Sequence, residues 1–155
     1  MKKSLIFYLA LVPVLTMGNT LVIKTVHSGD CIEFDSGYTV RLTGITTPDT
    51  SMPVGYQVYD FVKRTLEGRT VKVFTYTTNN LATGIVYGDD GLSFAQIIYG
   101  PEKNSKEWST NLNEFLLKKG WAQVNEQFLP DELRHFKELE KKARNQKLGI
   151  WKNHQ

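Results

Sequence analysis

Three charged residues near predicted turns are the first candidates for chemistry in this chain. Asp30 ends a Ser-Gly-Asp turn, Arg41 lies in a short apolar run, and Asp49 follows a proline. Side chains of these types bind metal ions and phosphate groups in many proteins. Each also has a simpler structural interpretation: Asp30 as a turn cap, Arg41 as an ion-pair partner and Asp49 as a turn former. Residue type and spacing alone leave both interpretations open.

The histidines and the cysteine favour structural or incidental roles. His27, His135 and His154 do not have the spacing of a zinc site. Cys31 is the only cysteine, so the chain cannot form an internal disulfide. We expect Cys31 to be buried as a small hydrophobic residue, with a free or intermolecularly paired thiol as the alternative.

Aromatic residues recur along the middle of the chain. On exposed strands they could stack on the bases of a single-stranded nucleic acid, whereas on inward-facing positions they would fill a core. We favour the core interpretation. The residues concerned are Phe74, Tyr76, Tyr87, Phe94 and Tyr99.

The N-terminus has the pattern of a secretory signal peptide. Lys2 and Lys3 precede an apolar run at 5–15, and small or uncharged residues follow up to Gly18. That order is typical of a cleavable signal, and the run is shorter than the ~20 apolar residues that cross a bilayer. We therefore expect residues 1–18 to be removed, with a secreted or periplasmic location for the remainder.

The composition gives little indication of the partner. The full chain of 155 residues has a formal net charge of +3, which falls to +1 once Lys2 and Lys3 are removed. Nucleic-acid binding usually relies on clustered lysines and arginines that contact phosphates. The charge therefore permits a nucleic-acid partner without indicating one.

Strands dominate the first two thirds of the chain and helices the last third. β-branched and aromatic runs separated by Gly, Asp and Asn predict strands at 21–26, 31–34, 38–42, 71–76, 83–87 and 92–99. Apolar spacing predicts helices at 55–66 and about 111–120, and a third that opens at Pro130 and stops at Gly149. One α+β domain is predicted: a five-stranded OB-type barrel with about three flanking helices.

Short strings follow one another in a fixed order along the chain. They are Ser-Gly-Asp at 28–30, Val-Arg-Leu-Thr-Gly-Ile at 40–45, Thr-Pro-Asp-Thr at 47–50, Asn-Glu at 113–114, Gly-Trp-Ala at 120–122 and Lys-Leu-Gly-Ile-Trp at 147–151. Together and in this order they resemble the staphylococcal nuclease (thermonuclease) family. The resemblance extends over residues 21–151, and the segments 77–87 and 101–109 look like insertions.

The resemblance implies an enzyme that cleaves the phosphodiester bonds of DNA and RNA with Ca²⁺. In that family two aspartates and a backbone carbonyl hold the ion, a glutamate activates water, and two arginines bind the phosphate. Carried over residue by residue, the first metal aspartate is Asp30 and the first arginine is Arg41. The carbonyl ligand falls on Thr47.

The remaining positions depart from the family pattern. Thr46 stands where the second metal aspartate is expected, and Asp49 stands where the glutamate base is expected, one methylene shorter. The second arginine falls on Thr83 or, in the alignment we prefer, on Leu92. The candidate site thus has Asp30, Thr46 and Thr47 as metal positions and Arg41 and Asp49 as catalytic positions.

These departures favour a catalytically degenerate, thermonuclease-like domain that acts as a nucleic-acid or other ligand-binding module. The alternative is an active Ca²⁺-dependent endonuclease with a rearranged site. Ca²⁺ is the implied cofactor, with weak or absent binding, and DNA or RNA is the implied partner. We expect a monomer that does not associate with a membrane once the signal is removed.

Overall fold

The computed structural model describes residues 18–75, 90–103, 106–126 and 134–153. Some predictions from the sequence lie outside these ranges. They are the signal peptide before Gly18, the strand at 83–87 with Tyr87, the candidate position Thr83, Tyr76, the helix start at Pro130, and His154.

Five strands close into a barrel, as the sequence predicted. They are β1 (Asn19–Ser28), β2 (Cys31–Phe34), β3 (Thr39–Leu42), β5 (Thr70–Thr75) and β6 (Ser93–Tyr99). The order around the barrel is β3-β2-β1-β5-β6, and these neighbours are antiparallel. A parallel pairing of β3 with β6 closes the ring. The strands predicted at 21–26, 31–34 and 38–42 are therefore confirmed, and they form an antiparallel meander.

Three very short strands were not predicted. β4 (Ile45–Thr46) pairs with β8 (Gln123–Val124), and β7 (Thr110–Asn111) extends the edge of β6. Pro48 limits any strand in the segment 44–50, because proline lacks an amide donor and restricts the residue before it. Two residues are enough to pair before the proline, which is why β4 exists and ends at Thr46.

The barrel interior is filled by alternating apolar side chains. Successive residues of a strand point to opposite faces, so one side chain in two reaches the core. Phe94 and Tyr99 are buried and Phe74 is half-buried, which agrees with the core interpretation of these aromatics. The largest fully buried side chains from the strands are Ile23, Val26, Ile32, Phe34, Val40, Leu42 and Ile97.

Helix α1 (Pro53–Leu66) covers one side of the barrel through Val58, Val62 and Leu66, which recur every four residues and are fully buried. It begins two residues before the predicted start at Gly55. A Cβ atom on Gly55 would lie 1.9 Å from the Asp49 carbonyl oxygen. Only glycine therefore allows the preceding loop to fold back onto the helix.

The C-terminal third packs α2 (Leu112–Lys118), α3 (Arg134–Asn145) and a 3₁₀ helix (Gly149–Asn153) together. Phe136 of α3 and Trp151 of the 3₁₀ helix are buried in this packing. Gly149 has a φ of 53°, and a Cβ on it would lie 2.0 Å from the Gly120 carbonyl oxygen. Among the described residues, no helix is both long and apolar enough to cross a membrane.

Candidate functional site

The turn between β1 and β2 holds Asp30 almost completely buried. Its Oδ1 atom accepts a hydrogen bond from the Ser28 hydroxyl at 2.7 Å, and its Oδ2 atom accepts one from the Thr47 amide at 3.2 Å. Gly29 makes this approach possible, because a Cβ there would lie 2.7 Å from Val58 Cγ1 and 2.9 Å from Thr47 Oγ1. Hydrogen bonds to Asp30 therefore connect the turn between β1 and β2 to the loop after β4.

Arg41 lies on β3 beside this turn. Its backbone pairs with Cys31 of β2 on one side and with Phe94 of β6 on the other. Its Nη1 atom lies 3.9 Å from Asp30 Oδ1, and 40% of its side chain is exposed. The structure thus brings together two of the residues that the sequence singled out, with the guanidinium reaching solvent.

Asp90, which the sequence analysis did not single out, completes this cluster. Its Oδ2 atom accepts a hydrogen bond from Arg41 Nε, and its Oδ1 atom accepts one from the Leu92 amide at 3.1 Å. The ion pair raises the pKa of Arg41 and holds the pKa of Asp90 below its usual value. No local pattern identifies Asp90, because its contact with Arg41 follows from the pairing of β6 with β3 that closes the barrel.

Cys31 is buried next to this cluster. Burial raises the pKa of its thiol, although the nearby Arg41 opposes that shift. Nucleophilic cysteines need a stabilised thiolate. The thiol is therefore held in its protonated form, which agrees with the structural role expected for this residue.

The two threonines expected at the metal position contribute no carboxylate. Thr46 is half-buried on β4, where its backbone pairs with Gln123. Thr47 contributes its amide hydrogen to Asp30, and its hydroxyl is buried with no hydrogen-bond partner among the described atoms. Ca²⁺ usually gathers six to eight oxygen ligands, several of them charged.

Asp49 points to solvent. Its Oδ1 atom accepts a hydrogen bond from the Ser51 amide at 2.8 Å, and its carbonyl accepts one from the Met52 amide at 2.9 Å. Hydrogen bonds from the Ser51 hydroxyl and amide lower the pKa of Asp49. The described contacts of Asp49 are thus those of a turn former, and none of them joins it to Asp30 or Arg41.

The donor set does not fit a family-type Ca²⁺ centre. In the described parts of the chain, no three His, Cys, Asp or Glu side chains converge in a way that could hold a metal ion. Both oxygens of Asp30 already accept hydrogen bonds from Ser28 and Thr47. The preferred position of the second arginine, Leu92, is an apolar residue just before β6.

Arg69 is the other arginine of the barrel strand region, and its contacts are structural. It is buried, its Nη1 atom donates to the Gly100 carbonyl at 2.7 Å, and its guanidinium lies 5.5 Å from the centre of the Tyr99 ring. It therefore anchors the end of β6 and is directed away from solvent. The accessible guanidinium near Asp30 is that of Arg41.

Comparisons with known proteins agree with the resemblance seen in the motifs. Residues 39–153 match the family model described as Staphylococcal nuclease homologue. Two Escherichia coli proteins named "Uncharacterized endonuclease", one of them from O157:H7, are each 30% identical to this chain over 131 residues. Each alignment covers 81% of this chain and 72% of the relative.

A plant protein is similar as well. The "Staphylococcal-like nuclease CAN1" of Arabidopsis thaliana is 29% identical over 114 residues, which cover 74% of this chain and 29% of the plant protein. The family match begins at Thr39, so it includes Arg41 and the loop to Asp49 but not Asp30.

Proposed function

Because this chain belongs to the staphylococcal nuclease family, we propose that its nuclease-like domain binds the phosphodiester backbone of DNA or RNA at Arg41 and is catalytically degenerate. The fold and the family support a nucleic-acid ligand. The replaced side chains support binding without efficient cleavage. The departures at Thr46 and Asp49 are the two that bear most directly on turnover.

The observation that carries this proposal is the position of Arg41. Its guanidinium is half-exposed beside the buried Asp30, so a phosphate oxygen can approach it from solvent. A guanidinium binds phosphate through parallel N–H donors, which makes arginine the usual residue for this purpose. The family's reaction uses two such arginines, and Arg41 matches the first of them.

The replaced side chains also support slow catalysis. A positioned base is worth roughly 10²–10⁴ in rate, and Asp49, with its lowered pKa and its hydrogen bond from Ser51, is a weak candidate. Removing one stabiliser of transition-state charge costs roughly 10²–10³. These factors are not additive, but both act in the direction of slow turnover.

The second candidate function is that of an active endonuclease with a rearranged site. The names of the Escherichia coli relatives favour it, because both are called endonucleases and both align with most of this chain. This alternative requires a base and a metal ligand other than Thr46 and Asp49.

One experiment separates the two functions. The purified protein is incubated with plasmid DNA and with RNA in millimolar Ca²⁺ or in chelator, and binding to a fluorescein-labelled single-stranded oligonucleotide is measured in parallel by anisotropy. We expect oligonucleotide binding that Arg41→Met weakens, with little or no cleavage. Cleavage at about 10 per second that chelator abolishes would establish the second function instead.

We also propose that residues 1–18 are removed and that the protein is exported. The first strand supports this proposal, because β1 begins at Asn19 and pairs with Val73 of β5, so cleavage after Gly18 leaves it complete. Mass spectrometry of the protein from a host that processes signal peptides tests it. A mass that still includes residues 1–18 would contradict it, and gel filtration of the same sample tests the expected monomer.

A further inference from the structure

We propose that Asp90 competes with phosphate for Arg41 and thereby sets the affinity of this site for nucleic acid. This inference rests on the proposed phosphate-binding role of Arg41. It gives a function to Asp90, which has none in that proposal. Three observations support it: the contact of Asp90 with Arg41, the strand pairing that places Asp90 there, and the net charge around the guanidinium.

Barrel closure brings Asp90 to Arg41. The two residues are 49 positions apart in the chain, and the parallel pairing of β3 with β6 aligns Arg41 with Phe94. Asp90 lies four residues before Phe94, in the turn that precedes the first residue of β6, Ser93. Any chain that closes this barrel in this register therefore places the segment just before β6 beside the Arg41 side chain.

The carboxylate of Asp90 is also held in a fixed orientation. Its Oδ1 atom accepts the Leu92 amide hydrogen at 3.1 Å while its Oδ2 atom accepts the Arg41 Nε hydrogen. Aspartates that bond to an amide two residues further on form a local turn of their own. Asp90 is thus preorganised by its turn to face Arg41, and little additional ordering is needed to form the ion pair.

The guanidinium is flanked by negative charge on two sides. Asp90 covers the Nε edge, and Asp30 Oδ1 lies 3.9 Å from Nη1. One positive group between two carboxylates gives the cluster a net charge of −1. A phosphate that binds Arg41 through two parallel N–H donors must therefore displace Asp90 or approach against its repulsion.

The test measures oligonucleotide binding by anisotropy for the wild type, Asp90→Asn, Arg41→Met and the double variant. Asparagine keeps the oxygen that accepts the Leu92 amide, so the turn is retained while the charge is removed. We expect Asp90→Asn to bind about five-fold more tightly, which corresponds to about 1 kcal/mol, the upper end for an exposed ion pair. The gain should disappear in the Arg41→Met background.

The matched control is Asp60→Asn, which removes the same charge from another exposed aspartate–arginine pair. Asp60 contacts Arg64 on α1, away from the cluster. An affinity gain that Asp60→Asn reproduces, or that persists without Arg41, would show a general charge effect and overturn the proposal. Thermal unfolding of each variant confirms folding, and Asp90→Ser, which also retains an oxygen acceptor, replaces Asp90→Asn if that variant is unstable.

The outcomes also separate this inference from the function on which it rests. If the wild type binds oligonucleotide and Arg41→Met weakens binding, but Asp90→Asn equals Asp60→Asn, the competition is refuted and the binding function stands. If neither the wild type nor Asp90→Asn binds, the phosphate-binding function itself is wrong, and the role of Asp90 is refuted with it.

Discussion

Replacing Asn113 with alanine should strongly destabilise the fold, because this buried side chain joins three separate segments. Its Nδ2 atom donates to the Thr43 carbonyl at 2.9 Å and to the Ala95 carbonyl at 3.3 Å, and its Oδ1 atom accepts the Ile97 amide hydrogen at 3.4 Å. The side chain is fully buried. The amide thus ties the turn after β3 and the strand β6 to helix α2.

The expected loss follows from these contacts. A normal buried hydrogen bond contributes about 1 kcal/mol, and leaving a buried partner unsatisfied costs roughly 1–3 kcal/mol. The bond to Thr43 has ordinary length and the other two are long. We therefore expect a decrease of about 3 kcal/mol in the free energy of unfolding, a large share of the roughly 5–15 kcal/mol of a typical domain.

The measurement is urea-induced unfolding followed by circular dichroism, with Asn145→Ala as the control. Asn145 is an exposed residue at the end of α3, so the same substitution there should change stability by less than about 0.5 kcal/mol. If Asn113→Ala loses no more stability than Asn145→Ala, the three hydrogen bonds do not support the fold and the reasoning is wrong.

Three further predictions concern the site and the C-terminal packing. Thr46→Asp should strengthen Ca²⁺ binding, measured by calorimetry, more than it raises nuclease turnover, because it supplies a ligand and no base; equal gains in both would contradict this. Gly149→Ala should lower the midpoint of thermal unfolding by several degrees, because its Cβ would lie 2.0 Å from the Gly120 carbonyl oxygen. An unchanged midpoint would show that the backbone around Gly120 can move to accept the Cβ without loss of stability. Arg41→Met should return the lowered pKa of Asp90 towards its ordinary value in a carboxylate NMR titration. The pKa of Asp90 is lower in the folded protein than in the unfolded protein. The ion pair therefore stabilises the wild type at pH values above the pKa of the unfolded state, and this stabilisation is lost as the pH falls through the pKa of the folded state.

The strands of the barrel could be predicted from the sequence because their signals are local. β-branched runs and Gly-Asp turns identify β1, β2 and β3, and Asn111 caps α2 as expected, accepting the Glu114 amide hydrogen through its side chain. The two-residue strands β4 and β8 could not be predicted. Their pairing joins residues almost 80 positions apart, and two residues carry no periodicity.

The candidate site was predictable to a different extent at each residue. The resemblance pointed to Asp30 and Arg41, and the structure places them 3.9 Å apart at their closest charged atoms. Asp90 carried no signal beyond that of a turn, because its contact with Arg41 depends on the parallel closure of the barrel. A local pattern predicts which residues can turn the chain, but not which distant side chain that turn will meet.

The motifs that identify the family constrain the fold more than the chemistry. Gly29 must be glycine because Val58 and Thr47 leave no room for a Cβ, and Gly149 must be glycine because the Gly120 carbonyl lies against it. Those requirements hold whether or not the protein cleaves anything, so a chain can keep them after losing catalytic groups. Activity depends instead on single side chains. Thr46 stands where the resemblance implies a metal aspartate, and a threonine there would remove that ligand and leave the packing intact. The family match over residues 39–153 includes Gly149 and the two strands that close the barrel, β3 and β6, so it supports the fold firmly, whereas the rate of cleavage depends on side chains that the packing does not fix.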